Sequence, residues 1–274
     1  MSDTHDHDQG LEHDLKKLTG MSNRRQLLKW MAGATLLPLA GSLAGSLVGC
    51  GAGTDGDGAS GGGGTSGCDT IPEETAGPYP GDGSNGPNAL TLSGIVRNDI
   101  RASLGSASGT AAGTPLTVKL TLLSNKSSCA PLVGYAVYLW HCDRDGKYSM
   151  YDLTQQNYLR GVQQTASDGT LSFTSIFPGC YSGRMPHIHF EVYPSLATAT
   201  TSKNKVKTSQ IALPVDVCKA VYATSGYSSS ATNLNKTSYA RDNVFSDGTS
   251  LQMATVTGST TAGYTASLLV GITA

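Results

Sequence analysis

Short runs of alternating apolar and polar residues recur from residue 68 onward, and no long stretch keeps the 3.6-residue apolar period of an amphipathic helix. Glycine, serine and threonine are abundant between these runs, which is typical of strands joined by turns. The pattern predicts an all-β fold, an antiparallel β-sandwich with long loops and little helix. The predicted strands are 90–96, 116–123, 135–142, 171–177, the segment that carries His187 and His189, 209–213, 252–257 and 265–272, with one helical turn at 215–222.

The first 49 residues do not follow this pattern. Two arginines at 24–25 precede an uncharged run at 31–48 that is rich in small residues, as in a twin-arginine export signal. A transmembrane anchor is the alternative, but the run is short and only moderately apolar. The sequence LVGC at 47–50 resembles a bacterial lipobox, in which Cys50 is acylated. We therefore expect an exported protein of the cell envelope, periplasmic or on the cell surface, whose membrane attachment is a lipid anchor at Cys50.

Residues 50–67 are rich in glycine and cannot bury a core, so we expect a flexible tether there. Residues 68–274 are enough for one domain with a sizeable core. The chain carries 19 basic and 20 acidic residues, a formal net charge of -1. Because no basic face is available to neutralise phosphates, nucleic acid is not an expected partner.

Five cysteines follow Cys50 in the sequence, an odd number for an oxidising compartment. We expect one or two disulfides with one thiol left over. The alternative is that Cys142 and Cys180 are buried apolar residues. The connectivity does not follow from the sequence.

His187 and His189 lie two residues apart in a segment with strand character, so their imidazoles share one face of one strand. This spacing suits two neighbouring nitrogen ligands of a metal, and zinc, copper and iron all accept imidazole. Two structural histidines that are satisfied by hydrogen bonds remain the alternative.

Two tyrosines near this strand each follow a glycine-containing turn, where a side chain easily projects into a cleft. They are Tyr148 and Tyr181. A structural role is the default for any single tyrosine. Arg184 lies between Tyr181 and the histidines, and this combination favours a functional site over separate structural residues.

Four segments together resemble the intradiol ring-cleavage dioxygenases, and more closely an exported, lipoprotein-like branch of that family. They appear in the family's order, over roughly residues 68–213. The segments are TAGPYP at 75–80, YLWHCDRDGKYS at 138–149, LRGVQQTASDGTLSFTSIFPGCY at 159–181 and GRMPHIHF at 183–190.

The resemblance implies that Tyr148, Tyr181, His187 and His189 are the protein ligands of a mononuclear non-haem Fe(III) ion. Two phenolates are hard anionic donors that favour ferric over ferrous iron. The implied activity is oxidative: a catechol-type ring is cleaved with O2 to a cis,cis-muconate-type dicarboxylate. Tyr181 would be the ligand that leaves when substrate binds. The permanently charged Arg184 would stabilise negative charge that develops on the substrate; a surface salt bridge is its alternative role.

Four further residues are candidates for supporting roles. Gln210 lies where the family often has a catalytic glutamine, and Tyr79 could form a wall of the pocket or only pack. We expect a structural or supporting role for His141, and Trp140 is most simply a core residue.

Two other functions stay open at this point. A non-catalytic envelope β-sandwich could bind an aromatic compound or a metal without turnover. A copper or zinc site could use His187 and His189 alone, without the tyrosines. The chain shows no helical dimerisation segment like that of the catechol-cleaving branch, so the oligomeric state and the catechol derivative stay undetermined.

Overall fold

The structure, a computed structural model, describes residues 68–274. The predicted export signal, Cys50 and the tether lie outside the described residues. Within residues 68–274 the chain forms nine strands and two helices. The strands are β1 (Pro115–Ser124), β2 (Ala130–Pro131), β3 (Ala136–Trp140), β4 (Arg160–Gln164), β5 (Thr170–Ile176), β6 (His187–Tyr193), β7 (Lys207–Ala212), β8 (Thr255–Ser259) and β9 (Gly263–Ile272), and the helices are α1 (Val215–Tyr222) and α2 (Ser228–Leu234).

One sheet contains five strands organised around β1. β5 and the short β2 pair with one edge of β1 in antiparallel fashion, and β9 pairs with its other edge in parallel. β8 then pairs with β9 as an antiparallel hairpin. Every second residue of β1 is buried, which is the alternation expected of a strand with one face on the core.

The second sheet contains four antiparallel strands in the order β4-β3-β6-β7. Val137 and Leu139 of β3 face the five-stranded sheet, together with Ile188 and Phe190 of β6, and this interface forms the main core. All residues of β3 and β6 are buried, so the outer face of this sheet is covered as well. The all-β sandwich predicted from the sequence is therefore confirmed.

A segment at 68–100 covers the outer face of the four-stranded sheet, where Leu90 and Ile95 pack against Tyr138 and Trp140. We call residues 68–80 of it the arm. A disulfide between Cys68 and Cys129 fastens the start of the arm beside β2. The arm then runs to the outer face, where the Glu74 amide donates to the Thr208 carbonyl at 2.9 Å.

The outer face carries one row of cross-strand neighbours that spans all four strands. Arg160 of β4 pairs with Trp140 of β3, Trp140 with His189 of β6, and His189 with Gln210 of β7. Because directly opposed residues point to the same side of a sheet, these side chains stand next to one another beneath the arm. The row places the predicted site on the outer face of the sandwich.

Some local predictions were wrong. Residues 90–96 form no strand: a short 3₁₀ turn occupies Ala89–Thr91, because the Asn88 side chain accepts from the Leu90 amide. Gly94, with φ of 85°, then turns the chain again. The helical turn predicted at 215–222 is a helix of eight residues, and neither β4 nor α2 was predicted.

The cysteine prediction was correct in part. One disulfide forms, but three thiols remain, at Cys142, Cys180 and Cys218, and all three are buried. The alternative interpretation of Cys142 and Cys180 as buried apolar residues is thus the one that the structure supports. Among residues 68–274, no helix has the length and apolar character needed to cross a bilayer.

Candidate metal centre

His187 and His189 project from β6 with their Nε2 atoms 3.1 Å apart. The Nδ1 atom of His187 lies 2.6 Å from the Met185 carbonyl and must carry the hydrogen of that bond, because a carbonyl only accepts. His187 Nε2 therefore presents a lone pair. Nitrogen ligands lie about 2.0–2.1 Å from a metal such as zinc, so two cis donors are about 3 Å apart. The separation of the two Nε2 atoms fits a shared ion.

Tyr181 brings a third donor to the same point, with its Oη atom 3.2 Å from His187 Nε2. It lies in the turn before β6, packed against Gly146 of the preceding turn. A Cβ on Gly146 would lie 3.1 Å from Tyr181 Cβ, and its φ of 81° also favours glycine. The glycine therefore lets the two turns come together and sets the position of Tyr181.

Tyr148 completes the group from the other turn. Its ring lies 6.0 Å from that of Tyr181 and 6.3 Å from that of His189, centroid to centroid. The Oη atom of Tyr148 is buried and has no hydrogen-bond partner within the described residues. A buried hydroxyl without a partner costs stability, so such a group is more plausible as a ligand than as a structural hydroxyl.

The donor set consists of two phenolic oxygens and two imidazole nitrogens, and it fits a ferric ion better than a softer metal. No group of three His, Cys, Asp or Glu side chains suited to a metal occurs in the part of the chain that the structure describes. A site made of the two histidines alone would therefore lack a third conventional ligand.

Burial controls the protonation of these groups. Burial lowers the pKa of His187 well below its usual value, and the charge of Arg184 lowers it further. Burial, His187 and Arg184 do the same to the pKa of His189. Burial, and then the neighbouring Tyr181, raises the pKa of Tyr148 well above its usual value. Without a cation the imidazoles are thus neutral and Tyr148 is a phenol; a bound cation would favour its phenolate form.

Arg184 is buried beside the donor group and is held at two of its nitrogens. Its Nε atom donates to the Asp242 carboxylate at 3.0 Å, and its Nη2 atom donates to Gln210 Oε1 at 2.7 Å. Burial opposes the charge of Arg184, but Tyr181 and Asp242 outweigh that effect and raise its pKa. The ion pair with Asp242 is a buried one, so the alternative of a surface salt bridge does not apply.

Known proteins resemble this chain in sequence and in fold. Residues 97–221 match the family model described as Dioxygenase. This part of the chain is therefore similar in sequence to that family. The fold of the chain is similar to that of the intradiol ring-cleavage dioxygenase from Tetranychus urticae, with a TM-score of 0.58 at 24% sequence identity, over 75% of this chain and 95% of the other. No curated protein matches the chain.

Two further solved structures resemble the domain more distantly. One is the dioxygenase domain of a carbohydrate-binding fusion protein from Streptomyces sp. SirexAA-E, with a TM-score of 0.48 at 21% identity over 74% of this chain and 98% of the other. The other is catechol 1,2-dioxygenase from Pseudomonas arvilla C-1, with a TM-score of 0.44 at 18% identity over 73% and 61%. The family-model match and the fold of the Tetranychus urticae enzyme confirm the resemblance to intradiol dioxygenases inferred from the sequence, while the exported branch stays a prediction.

The dioxygenase fold thus brings together the residues that the sequence singled out. Tyr181 Oη and His189 Nε2 each lie within 3.2 Å of His187 Nε2, and the ring of Tyr148 packs beside Tyr181 and His189. Arg184 and Gln210 are joined by a hydrogen bond next to this group. The individual roles of all these residues stay predictions.

The arm closes one side of the candidate site. A Cβ on Gly77 would lie 3.3 Å from the Cε1 atom of His189, so the arm backbone passes close to that edge of the ring. The ring of Tyr79 packs against that of Tyr148, 5.0 Å between centroids, and also against Tyr151. Tyr79 therefore contacts a candidate ligand, which favours the pocket-wall interpretation over simple packing elsewhere.

His141 and Trp140 have the supporting places expected of them. The His141 Nδ1 atom donates to the Cys142 carbonyl at 2.7 Å, and its Nε2 atom lies 2.7 Å from Ser175 Oγ, so both ring nitrogens are used for structure. Trp140 is a core residue, but it also stacks on His189 with 4.9 Å between centroids and 5° between planes.

Two buried charges that organise the candidate site were not predicted from the sequence. Arg160 donates to the carbonyls of Tyr79 and Pro80 and so fixes the arm. The Asp242 carboxylate accepts from Arg184 Nε, and it accepts from the Met185 amide with 2.6 Å between Met185 N and Asp242 Oδ2. Burial of a charge was the only distinguishing feature of these residues, and it cannot be read from residue type alone.

Proposed function

We propose that this protein is an intradiol ring-cleavage dioxygenase that holds a mononuclear non-haem Fe(III) ion and cleaves a catechol-type aromatic ring with O2 to a cis,cis-muconate-type dicarboxylate. The observation that carries the proposal is the convergence of two phenolic oxygens and two imidazole nitrogens, one of the oxygens being the buried, unpartnered Oη of Tyr148. The family-model match over residues 97–221 and the similar fold support it.

The iron would be held by Tyr148, Tyr181, His187 and His189. When bound, it supplies Lewis-acid activation of the catechol toward O2. The neutral tautomer of His187, fixed by the Met185 carbonyl, keeps Nε2 free of a proton and ready to bind a cation.

The two tyrosines differ in exposure, and this separates their roles. Tyr148 is only 2% exposed, enclosed by Tyr79 and Tyr181, so it is a fixed ligand. Tyr181 is only partly buried and lies in a turn. As a phenolate, Tyr181 can accept a proton from an approaching catechol hydroxyl at Oη, and it can move without disturbing the sheet.

Arg184 orients the substrate and stabilises its charge. Its guanidinium is buried, carries a permanent charge and is fixed by Asp242 and Gln210, so it needs little reorganisation when negative charge develops on the catechol. The arm limits the access of water from one side through Gly77 and Tyr79.

The proposed location is the cell envelope, with export by the twin-arginine signal and a lipid anchor at Cys50. The disulfide between Cys68 and Cys129 supports an oxidising compartment. Labelling of the expressed full chain with a fatty-acid probe tests the anchor. The label should be present in the wild type and absent from Cys50→Ala, and label retained in that variant would contradict it.

The function is tested with purified protein loaded with iron. We expect stoichiometric iron, a visible tyrosinate-to-iron charge-transfer band that shifts when catechol is added, and O2 uptake with at least one of catechol, protocatechuate and hydroxyquinol. The matched control is Tyr148→Phe, which should lose the band. A colourless iron-loaded protein would refute the site, and bound iron without O2 uptake would favour a binding module.

A further inference from the structure

Asp242 is the least exposed carboxylate near the candidate metal centre, with none of its surface accessible. It follows the short 3₁₀ turn Tyr239–Arg241 and lies 58 residues beyond Arg184 in the sequence. Its two oxygens share one donor, Arg184 Nε, which lies 3.2 Å from Oδ1 and 3.0 Å from Oδ2, and their other donors differ. Oδ1 accepts from the amides of Val244 and Phe245, at 2.9 and 3.2 Å, and so caps its own loop.

The other oxygen of Asp242 points toward the site. Oδ2 accepts from Arg184 Nε at 3.0 Å and from the Met185 amide at 2.6 Å. Both donors belong to the turn that leads into β6. A carboxylate that merely capped a loop would not need these contacts, which join the loop to the arginine and to the backbone before His187.

Gln210 holds the same guanidinium from a different direction. Its Oε1 accepts from Arg184 Nη2 at 2.7 Å, and its Nε2 donates to the Thr75 carbonyl of the arm at 2.9 Å. Contacts at Nε and Nη2 fix the plane of the guanidinium, and hence the direction of Nη1. The Phe245 ring lies 5.9 Å from the guanidinium carbon and confines it further.

We propose that Asp242 is a positioning residue, which acts through Arg184 to place the guanidinium against the anionic substrate. The inference rests on the proposed function, because it assigns to Arg184 the task of binding a catecholate. Gln210 fixes one nitrogen of that group, and Asp242 fixes another and balances its charge in the absence of solvent.

The substitution Asp242→Asn removes the charge and keeps one oxygen. That oxygen can still accept from the amides of Val244 and Phe245 and, at 3.2 Å, from Arg184 Nε, but the closer acceptor of Arg184 Nε and of the Met185 amide is lost. A misplacement of about 1 Å in a positioned group can cost roughly 10²-fold in rate. We expect kcat/KM per bound iron to fall by about 10²-fold in Asp242→Asn, while Asp168→Asn, a loop-capping change in an exposed turn, leaves it unchanged.

A double-mutant cycle distinguishes positioning from a general structural effect. In the Arg184→Ala background, Asp242→Asn should lower kcat/KM by no more than about twofold, since the residue through which it acts is gone. A full loss in both backgrounds would overturn the proposal. Rates are divided by the amount of bound iron. A loss of iron that Asp242→Asn causes through Met185 and His187 therefore appears in the iron content and not in the rate.

A measurement that does not depend on turnover completes the test. In iron-free protein labelled with ¹⁵N-arginine, the Arg184 Nε–H resonance, assigned by its loss in Arg184→Ala, should be protected from exchange in the wild type and exchange faster in Asp242→Asn. If Asp242→Asn does not fold, Asp242→Glu keeps the charge and displaces the carboxylate by one methylene, and it should show the same effect in smaller measure. An unchanged resonance overturns the positioning role, whereas a changed resonance with no O2 uptake in the wild type overturns the proposed function alone.

Discussion

The indole of Trp140 lies flat against the imidazole of His189, with 5° between the two planes. No hydrogen bond orients His189 through its Nδ1 atom, because that atom is buried without a partner among the described residues. The Gly77 backbone lies close to the Cε1 atom of the same ring. Packing between the tryptophan and the arm therefore takes the place of the hydrogen bond that usually orients a ligand histidine.

Replacement of Trp140 by leucine should loosen His189 and weaken iron binding. Changes in the partners that orient a ligand typically cost about 10- to 100-fold in metal affinity, and we expect a loss in that range. Trp140→Phe keeps an aromatic face and should lose less. Iron affinity is measured by competition with a chelator. The control is Phe173→Leu, a buried aromatic of β5 in the other sheet, and an equal loss in that variant would show that only general destabilisation is at work.

The variant Tyr148→Phe should change stability and iron binding in opposite directions. Removal of a buried, unpartnered hydroxyl should stabilise the iron-free protein by about 1 kcal/mol. The same change removes a ligand, so iron content and the visible band should be lost. Chemical denaturation of the iron-free protein and metal analysis check both effects.

Tyr181→Phe should also reduce iron content, but without the gain in stability, since the Tyr181 hydroxyl contacts His187. Tyr135→Phe, immediately before β3, is the control for loss of a phenol elsewhere. Unchanged iron in both Tyr148→Phe and Tyr181→Phe would instead favour a copper or zinc site on the two histidines.

His141 should make the folded state less stable in acid. Burial lowers its pKa to about 4, whereas an unfolded histidine titrates near 6.5. The unfolded state therefore binds the proton first, and stability is lost as the pH falls from about 6.5 to about 4, by roughly 3 kcal/mol in total.

Urea denaturation of the iron-free wild type and of His141→Gln, across this pH range, tests the expectation. Glu191 works in the opposite direction over part of the same range, because burial raises its pKa to about 7. The difference between the two proteins removes that common contribution. A difference that does not change with pH would contradict the role given to His141.

Removal of the disulfide should release the arm before it unfolds the sandwich. Cys68 and Cys129 are separated by 61 residues, and a loop of that length corresponds to about 4 kcal/mol in the chain-entropy model. We expect the double variant Cys68→Ser and Cys129→Ser to show faster hydrogen exchange at 69–80 and weaker iron retention. Cys218→Ser, a buried free thiol outside the arm, is the control. Equal exchange at 69–80 in the wild type and the double variant would show that the disulfide does not hold the arm.

The sequence predicted those parts of the fold whose residues have one buried face. β1 alternates cleanly and was found, while β4 begins with Arg160 and Gly161 and has no apolar pattern to mark it. α2 is rich in serine and resembles a loop until tertiary contacts decide otherwise. The sequence also predicted that His187 and His189 share one face, because side chains two residues apart on a strand point to the same side.

The supporting residues of the site could not be found in this way. Asp242 is distant in sequence from the turn it holds, and its neighbours show only that it lies in a polar loop. Arg160 becomes recognisable only when the register places it in the row with Trp140 and His189. Such residues are defined by pairing and burial, both of which are properties of the assembled sheet.

The arm also imposes an order on folding. Its contacts are with residues translated much later: the Thr75 carbonyl accepts from Gln210, 135 positions along the chain, and the Tyr79 carbonyl accepts from Arg160, 81 positions along. Neither partner is in place until β4 and β7 have joined their sheet. The first described segment to leave the ribosome is therefore among the last to dock. The candidate ligands and the arm that covers them come together only once nearly the whole domain has been made.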